Sequence, residues 1–160
     1  MTKGARIAGF TLIELVITVA ILGLLATMAM PLVELGAKRA KEQELRIGLR
    51  ELRDAIDAYK AAVEDGQVIL DMNETGYPPS LQTLVEGVED ASSPDLRQIY
   101  FLRRVPRDPF FPDPTVPAEQ SWGLRSYDSP PEAPRPGDDI FDVYSFSSGV
   151  GLNGIPYRDW

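Results

Sequence analysis

The start of the chain limits its folding more than any other feature. From Phe10 to Met30 the residues are almost wholly apolar, with a single carboxylate, Glu14, among them. The nine residues before this run, MTKGARIAG, carry Lys3 and Arg6 and no acid. A helix rises about 1.5 Å per residue, so Phe10 to Val33 reaches across most of a bilayer core of roughly 30 Å. A basic head on such a run directs a chain to a membrane. An ordinary secretory signal is the competing explanation, cut after the apolar core at small residues such as Ala26 to Ala29. It leaves unexplained the carboxylate inside the run and the helical pattern that continues beyond it.

From Lys38 to Val63 the apolar residues form one stripe: Leu45, Leu49, Leu52, Ile56, Tyr59 and Val63. Their spacing alternates between four and three, which is helical. The opposite face carries Glu42, Arg46, Arg50, Arg53, Asp54 and Asp57. Glu42 to Arg46 and Arg53 to Asp57 stand at the i,i+4 spacing of helix-supporting pairs. This face is expected to be solvated, with subunit contacts as the alternative. Nothing strong separates the apolar and amphipathic halves, which predicts one helix from about Thr11 to Val63. Pro31 removes an amide donor and crowds the preceding turn, so a kink or opening is expected near Thr27. Asp65-Gly66 should end the helix.

Beyond it lies a Pro- and Gly-rich part with room for a single core, given 160 residues in all. Ser80 is a candidate cap for a short helix over LQTLVEG. Trp122 to Tyr127 and Phe141 to Ser147 read as strands, and Asn153-Gly154 as a hairpin turn into a last short strand. Ser129 to Asp139, SPPEAPRPGDD, reads as an exposed loop. The predicted fold is α+β: a long N-terminal helix packed by a small antiparallel sheet over the Leu45 to Val63 stripe.

The chain has no Cys and no His, which removes disulfides, thiolate or imidazole metal ligands, and Ser-His or Cys-His nucleophiles. Residues 64–160 hold 17 acidic and 7 basic side chains, a net of −10. Such a surface repels nucleic acid. An anchored enzyme would need a carboxylate pair or a Ser-Lys arrangement, and no Lys follows Lys60. No pair is marked out, so an enzyme is not expected.

Gly9 followed by FTLIELVITVAILGLLATMAMP resembles the leader and N-terminal helix of type IV pilins and type II secretion pseudopilins. The shared features are a short basic leader ending in Gly9, Phe10 as new N-terminus, Glu14, Gly23 and Pro31. The resemblance implies a pilin-like fold, cleavage after Gly9 by a prepilin peptidase, and N-methylation of Phe10. It divides the chain into a leader (1–9), a hydrophobic transmembrane and polymerisation helix (10–33), an amphipathic half (34–63) and a globular domain (64–160). Downstream, YPPSLQTLVEG, FLRRVPRDPF and FDVYSFSSG with the terminal Trp resemble the major pseudopilin, Asp108-Pro109 and Asp142 to Ser145 matching most closely. The missing Cys pair tells against a major type IV pilin, the alternative used for adhesion, motility or competence.

The implied partners are further copies in a helical homopolymer, the peptidase, an inner-membrane assembly platform, minor pseudopilins and membrane lipid. The implied location is the bacterial inner membrane, single-pass, with the globular domain and the assembled filament in the periplasm. In this family the carboxylate matching Glu14 pairs with the Phe amine of a neighbouring subunit. A carboxylate near the middle of a spanning helix costs about 2.5–3.5 kcal/mol and needs a partner. A contact between Glu14 and Phe10 of one chain, or snorkelling to the interface, competes with that pairing. Gly23 and Pro31 bracket a segment that loses helix in family filaments, with a simple membrane kink as the alternative. Lys38, Arg39 and Lys41 stand on the side that the positive-inside rule leaves neutral, a tension relieved if they meet acidic neighbours.

The family's calcium loop has an Asp shortly after the Tyr-Ser strand, where this chain has Ser147, Ser148 and Gly149. Asp138, Asp139, Asp142 and Asp159 are oxygen donors of suitable hardness without EF-hand spacing. The expectation is no cofactor and no metal, an acidic solvated loop being favoured over calcium.

Overall fold

Helix α1 runs from Leu12 to Glu64, 53 residues, in a computed structural model that describes residues 9–70, 74–95 and 97–160. The side chains of residues 28–32 lie outside the described residues, and Pro31 with them. The helix passes through Gly23, Thr27 and Gly36 without a break, so the opening expected at Thr27 does not interrupt it. Thr27 Oγ1 donates to the Leu24 carbonyl at 2.7 Å, returning a hydroxyl to its own preceding turn. Asp65-Gly66 ends α1 as expected: Gly66 takes a φ of 73°. Its N–H donates to Val63 and that of Gln67 to Ala62, at 3.0 and 2.9 Å. These are the paired bonds of a Schellman cap, which favours glycine at the left-handed position.

The chain divides into two compact units, residues 1–39 and 40–160. In the described part of the first, the side chains from Leu12 to Leu25 are exposed on every side of the helix, Leu12 at 81%. A helix that is apolar all round has the character of one that is buried, in a membrane or in a larger core. Among the described residues no helix is long and apolar enough to cross a membrane.

In the second unit the amphipathic stripe is the floor of the core. Leu45, Leu49, Leu52, Ile56 and Tyr59 are buried, joined by Ala55 and Ala62, while Val63 is partly buried. Each large side chain so buried stabilises by about 1.5–3 kcal/mol. Ser80 caps α2 (Leu81–Glu86), accepting from Thr83 N, and Leu81 and Leu84 turn inward. Two strands that sequence patterning did not separate follow, β1 (Val88–Glu89) and β2 (Gln98–Ile99), paired antiparallel. At two residues each they are too short to show alternation.

The expected strand pair is present with trimmed ends. Strand β3 (Trp122–Arg125) lies antiparallel to β4 (Asp142–Ser145), with Gly123 opposite Tyr144. Trp122 is 2% exposed and packs on Gly48 of α1, where an added Cβ would sit 3.3 Å from its ring. Gly48 thus trades some helix propensity for a close approach of the indole. The last strand is not formed: Val150 and Pro156 make one isolated bridge, and Tyr157–Asp159 turn as a 3-10 helix. Gly154 does take the positive φ, 81°, that a tight turn requires. Among the described residues two two-stranded antiparallel sheets stand where a single small sheet was expected over the stripe.

Candidate functional site

The N-terminal segment begins with a hydrogen-bonded turn that sequence inspection passed over. Thr11 is the residue before α1, and its Oγ1 accepts from Glu14 N at 3.3 Å, while Thr11 N donates to Glu14 Oε2 at 3.4 Å. These long reciprocal bonds form a capping box, readable in the sequence as Thr-x-x-Glu ahead of an apolar run. Glu14 therefore sits in the first turn of the helix, not near the middle of a spanning segment. There its charge faces the positive end of the helix dipole. Thr18 Oγ1 donates to the carbonyls of Glu14 and Leu15, which ties the next turn down.

Phe10 is 83% exposed. The carboxylate of Glu14 reaches the amide of Thr11, one residue beyond the Phe10 nitrogen. At Gly9 and Gly23 an added Cβ would meet nothing within 4 Å, so among the described residues no contact requires glycine at either place. The structure thus joins Thr11 to Glu14, leaves the exposed Phe10 next to that turn, and places Gly23 nine residues beyond Glu14 along the helix.

In the second unit, residues expected to be solvated prove to be structural. Glu42 is only 5% exposed. Its Oε1 accepts from Leu152 N at 2.8 Å and from Tyr157 Oη at 2.9 Å, so it does not pair with Arg46. Burial first, and then the hydrogen bond and charge of Glu42, push the Tyr157 hydroxyl up to about 12. Arg46 lies over the Trp160 ring, 4.4 Å from its centre. Arg53 bonds Asp142 through Nε at 2.8 Å, which corrects the expected pairing with Asp57. No spacing rule could find these partners, because they are separated by about a hundred residues of sequence.

Asp108 is 1% exposed, and its carboxylate accepts from Phe110 N at 2.8 Å and Ser145 Oγ at 2.5 Å. Its own N–H donates to Ser121 Oγ at 3.1 Å. One buried side chain thereby ties the RVPRDPF segment to β4, which is the physical use of the Asp108-Pro109 motif.

The acids considered for calcium are mostly committed elsewhere. Asp139 is buried, an exception in its exposed loop, and accepts from Tyr127 N and Thr75 Oγ1. Asp142 holds Arg53 and its neighbour's amide, while Asp138 is exposed. Among the described residues no three acidic side chains gather to hold a metal ion.

Residues 4–30 match the prokaryotic N-terminal methylation motif, a stretch that takes in Arg6, Gly9, the capping turn and the apolar helix. The chain is thus of the class that carries this motif ahead of a small α+β domain. It is 30% identical over 112 residues to the type II secretion system core protein G of Klebsiella pneumoniae, covering 68% of this chain and 72% of that one. It is 31% identical to the same protein of Aeromonas hydrophila, over 66% and 68% of the two chains. With that of Pectobacterium carotovorum subsp. carotovorum the identity is 32%, over 69% and 67%. The chain belongs to the family of type II secretion system core protein G. No solved structure matches it.

Proposed function

We propose that this chain is the structural subunit of a type II secretion pseudopilus, cut after Gly9, methylated at Phe10 and polymerised into a periplasmic filament that drives protein export. The observation that carries the proposal is the methylation motif over residues 4–30 at the head of a chain similar to core protein G over most of its length. These relatives favour secretion over the type IV pilus alternative.

The physical argument runs through the first turn. Cleavage after Gly9 would create an ammonium at Phe10, one residue before the capping Thr11, where the helix dipole is already positive. Glu14 supplies the compensating carboxylate. In the free subunit the capping box brings that carboxylate toward its own N-terminus. In a polymer the Phe10 ammonium of a neighbour would compete for it, so Glu14 exchanges one positive partner for another without an unpaired charge in an apolar setting. Among the described residues the glycines at positions 9 and 23 answer no packing need. That supports roles in recognition by the peptidase for Gly9 and in close approach or local melting within the filament for Gly23, with Pro31 beyond it. The exposed apolar helix would move from inner-membrane lipid to the filament centre at nearly constant apolar contact. Assembly platform, minor pseudopilins and peptidase are the partners this implies.

Intact-mass measurement of the membrane fraction tests the reading, comparing cells with and without the matching prepilin peptidase. Loss of Met1 to Gly9 with one added methyl is expected only where the peptidase is present. An uncut chain, or a cut near Ala29, would overturn it.

A further inference from the structure

The segment that follows β4, residues 146–160, is fastened to α1 by proton donors. Leu152 N and Tyr157 Oη, five residues apart in the loop, both donate to one oxygen of Glu42, at 2.8 and 2.9 Å. Glu42 is 5% exposed and Tyr157 2%, so the carboxylate sits inside the unit. A carboxylate accepts hydrogen bonds and cannot donate them, and an ionised acceptor makes the stronger bond. Two donors converging on it form a small anion site whose anion belongs to the chain itself.

The oxygens of the same loop are committed to its own N–H groups. Ser147 Oγ accepts from Gly149 N at 3.2 Å, and Asn153 Oδ1 from Ile155 N at 3.1 Å. The carbonyls of Gly149, Gly151 and Ile155 accept from Tyr157 N, Gly154 N and Gly151 N, at 3.0, 3.0 and 2.8 Å. The Ile155 carbonyl also takes Trp160 Nε1, at 3.2 Å. A calcium ion takes about six to eight oxygens turned toward one point. Of the acids flanking the loop, Asp142 holds Arg53, and the exposed Asp159 lines a hollow with Arg46, Arg50 and Arg53. The calcium loop that the resemblance implies therefore does not fit these residues, which present donors where a cation needs lone pairs.

We propose that Glu42 stands in for a metal ion: the C-terminal loop is a carboxylate-binding site, filled from α1 by the chain's own Glu42, and its closure is indifferent to calcium. The difference is mechanical as well as chemical. A bound ion would tie the loop to itself, whereas Glu42 ties it to the helix across 110 and 115 residues of sequence. Loop closure and helix packing then melt together. Closure of this kind concerns a single chain, so it holds whether or not the chain polymerises.

Thermal melting of the full-length chain in a mild nonionic detergent, with calcium chloride or with the chelator EGTA, tests this directly. A weak site, with a Kd of about 10⁻⁴–10⁻³ M, would be filled at about 10 mM calcium and raise the melting temperature by several degrees. The parent chain should melt at one temperature in both solutions. Glu42→Ala should melt lower, and sodium acetate, which supplies the group the substitution removes, should restore part of the loss. Calcium chloride and sodium chloride should restore none of it, and Tyr157→Phe in the alanine chain should shrink the gain from acetate by removing one donor. A parent chain that calcium stabilises, or a Glu42→Ala chain that calcium restores, overturns the inference. So does acetate that helps the alanine chain no more than the parent, or an alanine chain that melts with the parent. Should the alanine chain not fold, the calcium comparison on the parent still decides.

Discussion

Replacing Glu42 with alanine should loosen the C-terminal segment, and the size of the effect follows from its partners. The carboxylate takes two hydrogen bonds through one oxygen, from Leu152 N at 2.8 Å and Tyr157 Oη at 2.9 Å. Tyr157 is 2% exposed, so its hydroxyl has no ready access to water once Glu42 is gone. Leaving a buried donor unpaired costs about 1–3 kcal/mol, which applies to Tyr157 Oη, while the amide of the exposed Leu152 can turn to water and loses less, so the two together come to about 2–4 kcal/mol. For a unit of residues 40–160 that is a fall in Tm of about 10 °C. Glu42→Gln retains an acceptor oxygen for both donors and should cost less than about 1.5 kcal/mol. Fluorescence of Trp122 and Trp160, both in this unit, reports its melting with the chain in a mild nonionic detergent.

The same contact makes a prediction about pH. The Tyr157 hydroxyl is raised in the folded chain to about 12 from an ordinary 10.0. The folded state therefore holds this proton where the unfolded state has released it, and stability falls as pH rises from about 10 to about 12. Tyr157→Phe should lack that alkaline decline, and Glu42→Ala should show a shallower one, since burial remains while the carboxylate is lost. A Glu42→Ala chain melting within 2 °C of the parent would refute the reasoning.

Further expectations concern the fold and the first turn. Asp108→Ala strands Phe110 N and Ser145 Oγ and should cost about 3 kcal/mol in urea unfolding, against less for Asp108→Asn. Gly123→Ala places a methyl 2.3 Å from the Tyr144 ring and should destabilise by more than about 1 kcal/mol, as a urea midpoint would record. Thr11→Val removes the cap of α1 and should raise hydrogen exchange at the amides of residues 12–15 in detergent, at a cost of about 1 kcal/mol.

What could be read from the sequence was whatever depends on near neighbours. The Leu45 to Tyr59 stripe, the stop at Asp65-Gly66, the Ser80 cap and the cores of β3 and β4 all follow from spacing or local chemistry, and all are present. The Thr-x-x-Glu box is equally local, but it lies inside an apolar run whose membrane signal is stronger than that of a single cap. Glu42, Arg53 and Asp108 belong to another category. Their partners lie 115, 89 and 37 residues away, so a charged residue on a helix face looks solvated until the tertiary fold covers it. The last strand failed because Gly149, Gly151 and Gly154 favour turns over a ladder, leaving one bridge.

The Glu42 contact also orders events in time. Leu45, Leu52 and Ile56 share one buried core with Ile140, Val143 and Tyr157, so part of that core is synthesised about a hundred residues after the stripe. The helix itself needs only local bonds and forms within microseconds. During the interval an amphipathic helix stands complete with its apolar side bare, next to a segment that already prefers lipid. Nascent subunits in that state are the ones prone to pairing wrongly with each other. The Tyr157 bond to Glu42 then fastens the end of the chain to that helix, and with no cysteine in the sequence it does so without a disulfide.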